Sequence, residues 1–119
     1  MPHRYRDLKV WQKGMDLAVG VYRFSRAFPK EEQYVLTGQI RRAANAMPLN
    51  IAEGAGCRTD QEFAQFPGFA FRSCHEVCTA AELAARLGYT NMEAAQGVIE
   101  PAEELANMLF VFMRKLDGK

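Results

Sequence analysis

The sequence predicts an all-α protein built as an up-down antiparallel four-helix bundle. Four segments carry apolar residues at helical spacing, short breaks separate them, and no segment alternates apolar and polar residues as a strand does. Short connections make consecutive helices antiparallel neighbours. The 119 residues fit one domain, 1–119, in which we expect 1–6 to form a flexible tail.

The first predicted helix runs from about Leu8 to Ala27, with Asp7 as its N-cap and Phe28-Pro29 as its end. Its apolar residues cover an arc of roughly 200°, whereas a helix on the rim of a small bundle buries an arc of about 100° or somewhat more. The excess indicates a second buried face, most simply a contact with another chain. Oligomerisation is therefore the first functional prediction.

The second predicted helix begins near Glu31 and Glu32, because acidic side chains suit the positive end of a helix. Its core stripe is Leu36, Ile40, Ala43, Ala44 and Met47. Pro48 follows and removes one backbone donor, so the helix either ends there or continues with a kink. Because Ile51 keeps the four-residue spacing from Met47, we expect a kinked helix that continues to Gly54.

Pro48, Asn50, Glu53 and Gly54 form a structural motif, since polar residues here interrupt an apolar stretch. Buried polar groups need hydrogen-bond partners. We therefore interpret the motif mainly as a hydrogen-bonded brace for the Pro48 kink.

The third predicted helix starts at a capping box formed by Thr59 and Glu62 and runs to Leu87, where Gly88 suits a left-handed conformation. Pro67 lies near its beginning and predicts a kink or a frayed first turn.

The fourth predicted helix starts at a second capping box, Thr90 and Glu93, and ends near Asp117. Pro101 lies in its interior and is another candidate for a kink.

The sequence offers little support for catalysis, a cofactor or a metal. A di-iron bundle needs Glu-x-x-His pairs, and the residue three before His75 is Arg72. Cys74 and Cys78 lie one turn apart beside His75 and could hold a soft metal, but small buried thiols are the more common reason for such a pair. We expect no enzyme activity, three free cysteines and, because signal and membrane-spanning patterns are lacking, a cytoplasmic protein.

Charge is unevenly distributed although the net charge is only +1, because residues 1–58 carry ten basic and five acidic residues and residues 59–119 carry five and nine. Basic residues at helical spacing can follow a phosphate backbone, or they can form an ordinary solvated face. The candidate nucleic-acid-binding residues are Arg6, Lys9, Lys13, Arg23, Arg41, Arg42 and Arg58.

Several strings resemble a known bacterial family in order from about residue 4 to 116. They are Tyr5-Arg-Asp-Leu-Lys-Val-Trp-Gln-Lys13, Gln39-Ile-Arg-Arg-Ala-Ala44, Pro48-Leu-Asn-Ile-Ala-Glu-Gly54, Glu62-Phe-Ala-Gln-Phe66 and Arg86-Leu-Gly-Tyr89. The chain is similar to the bacterial four-helix bundle proteins encoded in intervening sequences of large-subunit ribosomal RNA genes, and to the accessory variability determinants of diversity-generating retroelements.

The resemblance implies a left-handed up-down bundle that assembles as a homopentamer. For the retroelement branch it also implies nucleic-acid binding and partnership with a reverse transcriptase. Two positions depart from the family pattern: Pro67 stands where an aliphatic residue is usual, and Arg72 where a small residue is usual.

The sequence therefore predicts a non-enzymatic oligomeric scaffold or adaptor, in its sharper form an accessory RNA-binding protein. Two alternatives stay open, namely a pure protein-protein assembly module and a protein with an unrecognised metal or small-molecule site.

Overall fold

The protein is all-α in a computed structural model that describes residues 3–118, and that part of the chain contains no strand. Four long helices and one single-turn helix make up the fold. They are α1 (Lys9–Ser25), α2 (Leu36–Ala55), α3 (Asp60–Phe63), α4 (Gln65–Arg86) and α5 (Met92–Leu116). Short 3-10 turns at Tyr5–Asp7 and Lys30–Glu32 precede α1 and α2.

The four long helices enclose one main core, in which α1 and α4 each pack against both α2 and α5. The predicted stripe of α2 is confirmed, because Ile40, Ala44 and Met47 have no exposed surface. A smaller cluster around Phe63 and Leu116 closes one end of the molecule. Within residues 3–118, no helix combines the length and the apolar character that crossing a lipid bilayer requires.

The beginning of α1 differs from the prediction of an Asp7 cap. Asp7 ends the 3-10 turn, and Leu8, with extended backbone angles, is the N-cap residue and makes no side-chain capping bond. The turn places Asp7 before the position from which a side chain could reach the amides of the first α-helical turn. Leu8 then directs the chain into α1.

The start of α2 lies four residues beyond the acidic pair predicted to begin it. Glu31 and Glu32 belong to the 3-10 turn, and the backbone N–H of Leu36 donates to Glu32 Oε1 at 3.1 Å. Glu32 therefore supplies an acceptor to the first turn of α2 from outside the helix. The same carboxylate accepts a bond from Tyr89 Oη at 2.6 Å, which ties the start of α2 to the α4–α5 connection.

The third predicted helix is two segments in the structure, because Ala64 separates α3 from α4. Pro67 is the third residue of α4, and it has no N–H to donate to the carbonyl of Phe63. Proline is tolerated in a first helical turn, whereas in a helix interior it removes a hydrogen bond and kinks or breaks the helix, so a fresh start at Gln65 accommodates Pro67.

Helix boundaries elsewhere follow the predicted signals with one exception. Thr59 Oγ1 accepts from the backbone N–H of Glu62 at 3.1 Å, which confirms this cap. Gly88 adopts a φ of +83° after α4, as predicted for a left-handed residue. The second predicted capping box is wrong, because Asn91 and not Thr90 caps α5, through a bond from the N–H of Ala94 to Asn91 Oδ1 at 2.8 Å.

His3 and Tyr5 of the predicted tail contact the rest of the protein. The His3 ring lies 2.8 Å from Asp60 Oδ1 and stands edge-on to Phe63, and the His3 N–H donates to the carbonyl of Ala55 at 3.1 Å. Met1 and Pro2 of the predicted tail lie outside the described residues.

Candidate functional site

A groove of about 660 Å³ runs between α1 and α2. Its walls are mostly apolar side chains that the core does not bury. Its lining includes Trp11, Met15, Val19, Tyr22, Pro48, Leu49, Arg23 and Arg26. We call this surface the α1–α2 groove.

The broad apolar arc of α1 divides into two halves that meet different surroundings. Val10, Leu17 and Val21 face the core and are buried. Met15 and Val19, on the other half, are 42% and 48% exposed and line the groove. The arc is therefore wider than the monomer's own core uses, as the sequence predicted.

The floor of the groove is formed where α1 and α2 approach closely. A Cβ placed on Gly14 would lie 3.4 Å from the backbone N of Pro48, which is ordinary van der Waals contact. Small residues at such a crossing let the two helix backbones come together, and the larger side chains on either side then form walls. Leu49, directly after Pro48, stands out from α2 and is 66% exposed.

Aromatic and basic side chains close one end of the groove. Tyr5 stands edge-on to Trp11 with ring centres 5.1 Å apart. The Arg6 guanidinium lies 5.4 Å from the Tyr5 ring centre and 5.8 Å from that of Trp11. This predicted nucleic-acid-binding residue is therefore engaged with the protein's own aromatic rings.

Arg23 of α1 and Arg26, the residue directly after α1, occupy the opposite end of the groove. Arg23 and Arg26 are exposed and line it, and within residues 3–118 neither makes an ion pair. Arg26, Leu49 and Tyr5 were not singled out from the sequence as groove residues. For Leu49 a signal existed, because it is a large apolar residue lying off the core stripe of α2.

Arg41 holds the C-terminal end of α1 and is half-buried. Its Nε donates to Ser25 Oγ at 2.8 Å, its Nη2 donates to the carbonyl of Tyr22 at 3.3 Å, and its guanidinium lies 4.8 Å from the Tyr22 ring centre. Positive charge near a helix C-terminus is favourable because it meets unpaired carbonyls. These contacts occupy a side chain predicted to reach a phosphate backbone.

The other predicted basic residues do not form one patch. Lys13 Nζ lies 2.5 Å from Glu104 Oε1 and links α1 to α5. Lys9 lines a separate groove beside Met108 of α5. Arg42 projects from α2, Arg58 lies in the connection after it, and both are exposed.

The Pro48-to-Gly54 motif is a local packing device at the end of α2. The helix continues through Pro48, which is buried. Asn50 Nδ2 donates to the carbonyl of Ala46 at 2.7 Å, so this side chain bonds to the backbone one turn earlier. Glu53 is exposed, whereas Gly54 is buried where α2 meets Phe63.

The three cysteines are free thiols. Cys74 Sγ lies 3.5 Å from Met47 Sδ in the core, and burial raises the pKa of Cys74 to about 12 and that of Cys78 to about 11. A thiol with such a pKa stays protonated at neutral pH, and metals bind the thiolate. His75 Nδ1 lies 3.0 Å from the carbonyl of Phe71, in its own helix.

Comparisons with known proteins identify the family. A sequence profile of the 23S rRNA-intervening sequence protein family matches residues 6–111. No curated protein matches the chain significantly. The fold is similar to the crystal structure of a protein of unknown function from the S23 ribosomal protein family of Bacteroides thetaiotaomicron VPI-5482, with a TM-score of 0.78 and 21% sequence identity over 88% of this chain and 98% of that one. The profile match covers most of the chain, and the protein belongs to the 23S rRNA-intervening sequence protein family.

Proposed function

We propose that the protein is a cytoplasmic, non-enzymatic scaffold that assembles with copies of itself through the α1–α2 groove. The observation that carries this proposal is the exposed apolar half of α1 beside Leu49. Burying apolar surface is favourable by about 25 cal/mol per Å². Exposed apolar patches of several hundred Å² with a polar rim are typical of interaction sites. The three free thiols suit a reducing compartment.

The assembly we propose is a homopentameric ring, following the family resemblance. It would have five times the chain mass of 13.4 kDa. Light scattering coupled to size-exclusion chromatography, at micromolar protein concentration, measures this mass directly. A stable, folded monomer under these conditions would refute the scaffold function, and a different closed oligomer would refute only the subunit number.

Two matched variants test whether the contact between subunits lies in the α1–α2 groove. Val19→Glu puts a charge into the groove, and we expect it to lower the oligomer mass. Leu83→Glu is the control, because Leu83 lies on α4 outside the groove and is 45% exposed, close to the 48% of Val19. Circular dichroism must show both variants helical. Equal masses for Val19→Glu and wild type would contradict the role of the groove.

An up-down antiparallel bundle is the topology we propose for each subunit. Its support is the order of contacts between α1 and α2: Gly14 of α1 lies beside Pro48, while Ser25, later in α1, bonds to Arg41, earlier in α2. Chains that run in opposite directions give this reversed order. We propose kinks at Pro48 and Pro101, since each is a proline inside a continuous helix.

RNA binding, with a nucleic-acid enzyme such as a reverse transcriptase as partner, is the second candidate function. It is supported by the family's link to ribosomal RNA intervening sequences and by the exposed Arg42 and Arg58. Phosphate contacts make binding weaken as salt rises. We expect Arg42→Ala plus Arg58→Ala to reduce RNA retention at low ionic strength across many sequences. Absence of retention by the wild-type protein would refute this function.

A further inference from the structure

The α1–α2 groove is apolar along its floor and cationic at the end near Arg23 and Arg26. A surface that binds in the groove should therefore be complementary to both features. Neither arginine is neutralised by an ion pair within the described residues. Asp16, the acidic residue of α1, lies in the separate groove between α1 and α5, where Arg23 also reaches. An occupant of the α1–α2 groove therefore gains most when it brings carboxylates to this end.

The exposed face of α5 carries such carboxylates. Glu93 and Glu100 are seven residues apart and so lie on one side of the helix, and Glu103 is adjacent to them. All three are exposed, and none makes an ion pair within residues 3–118. Glu104, one position on, is already paired with Lys13 of the same chain. The face thus has negative charge that the subunit itself leaves uncompensated.

Gly97 lies on the same face of α5 and, because it has no side chain, would let the backbone of a neighbouring helix approach closely. It lies between Glu93 and Glu100 on the exposed side of α5, and a Cβ built there would meet nothing within 4 Å. Glycine inside a helix costs about 1 kcal/mol relative to alanine. No contact within the subunit requires glycine here, whereas a neighbouring helix approaching at this point would.

Self-pairing of two grooves is disfavoured by charge. A two-fold contact brings the same patch of both subunits together, so Arg23 and Arg26 would face either their own copies or the end that holds Arg6. Like charges placed opposite each other across an interface oppose association. Pairing of two different surfaces avoids this repulsion and, where the rotation closes, generates a ring.

We propose that the acidic face of α5 of one subunit occupies the α1–α2 groove of the next, so that the subunits associate head to tail. This inference rests on the proposed scaffold function and assigns its partner surface. Glu100 and Glu103 then lie near Arg23 and Arg26 of the neighbouring copy, and the backbone at Gly97 approaches the floor of the groove.

Charge reversal tests the pairing. We expect Arg23→Glu plus Arg26→Glu to lower the oligomer mass measured by light scattering, and Glu100→Arg plus Glu103→Arg to lower it equally. Mixing the two double variants restores opposite charges at every mixed contact, so we expect complexes heavier than either variant alone. A five-membered ring cannot alternate two variants completely, so the full wild-type mass is not expected on mixing. The control is Glu31→Arg plus Glu76→Arg, which reverses two exposed carboxylates away from α5 and should leave the mass at the wild-type value.

The outcomes separate this inference from the scaffold function. If the arginine variant dissociates while the α5 variant keeps the wild-type mass, the groove is an interface but α5 is not its occupant, and the inference is wrong. Failure of two folded variants to associate on mixing also overturns it. A monomeric wild-type protein removes both proposals together.

Discussion

Replacing Gly54 with alanine probes how the end of α2 packs against the following helix. A Cβ built on Gly54 would lie 2.6 Å from Phe63 Cδ1 and 2.7 Å from Phe66 Cβ. Phe63 is only 1% exposed, so its ring has little room in which to move. The methyl group must therefore displace a buried ring, or α2 must move away from α3 and α4.

The expected loss follows from two opposing effects. Overpacking a well-filled core costs about 1–3 kcal/mol, and three contacts below 3.0 Å, two of them with the buried Phe63 ring, place Gly54→Ala in the upper half of that range. Alanine recovers about 1 kcal/mol of helix propensity relative to glycine. We therefore expect the free energy of unfolding to fall by about 1–2 kcal/mol, a decrease in Tm of roughly 4–10 °C for a chain of this size.

Urea unfolding followed by circular dichroism measures this loss, with wild type and variant at the same protein concentration because association shifts apparent stability. Gly20→Ala is the matched control, since a Cβ at Gly20 meets nothing within 4 Å. Alanine there should raise the free energy of unfolding by up to about 1 kcal/mol. If Gly54→Ala were as stable as wild type or more so, the close contact with Phe63 would not constrain this position.

Three further predictions concern contacts that fix the helix ends. Thr59→Ala removes the cap of α3 and should lower the free energy of unfolding by about 1 kcal/mol in the same urea assay. Arg41→Ala removes the charged donor to Ser25 and should lower the free energy of unfolding by about 1–2 kcal/mol. Arg42 is an exposed neighbour, and Arg42→Ala should stay within about 0.5 kcal/mol of wild type. Equal effects of the two variants would refute a stabilising role of the Arg41 contacts. The hydrogen bond from Tyr89 lowers the pKa of Glu32 below its ordinary 4.5, so the stabilising contribution of this bond is present at neutral pH and is lost as pH falls through the lowered pKa of Glu32. The same bond raises the pKa of Tyr89 above 10.0, so the contribution is also lost as pH rises through the raised pKa of Tyr89. Stability measured from pH 7 to pH 3 should therefore converge for wild type and Tyr89→Phe, and a constant difference would contradict this account.

Local sequence patterns were sufficient to predict that the long helices form, because the residues that favour or end a helix act within one or two turns. The core stripe of α2, the Thr59 cap and the left-handed Gly88 depend on neighbours close in the chain, and the structure confirms each. Where a competing local arrangement existed, the prediction failed. Asn91 lies one position after Thr90 and is itself a strong capping residue, and the 3-10 turn that displaces Asp7 leaves no clear pattern in the sequence.

The candidate site could be only partly predicted. The arc of α1 already indicated a second apolar face, since periodicity alone shows which residues share a side of a helix. Periodicity does not show which half of the arc the core takes. That choice depends on where α2 and α5 lie, and packing leaves Met15 and Val19 exposed beside Leu49.

The sequence by itself determined that the chain is helical, approximately where its long helices lie and that α1 has more apolar surface than one core needs. Only the tertiary structure decided which basic side chains have partners within the protein and which stay exposed. Arg41 and Arg23 both lie on helices with exposed basic residues, yet Arg41 bonds to Ser25 and the end of α1, while Arg23 stands at the rim of the groove. The physical reason is that partners distant in the chain determine whether a charge is neutralised, and only folding brings those partners together.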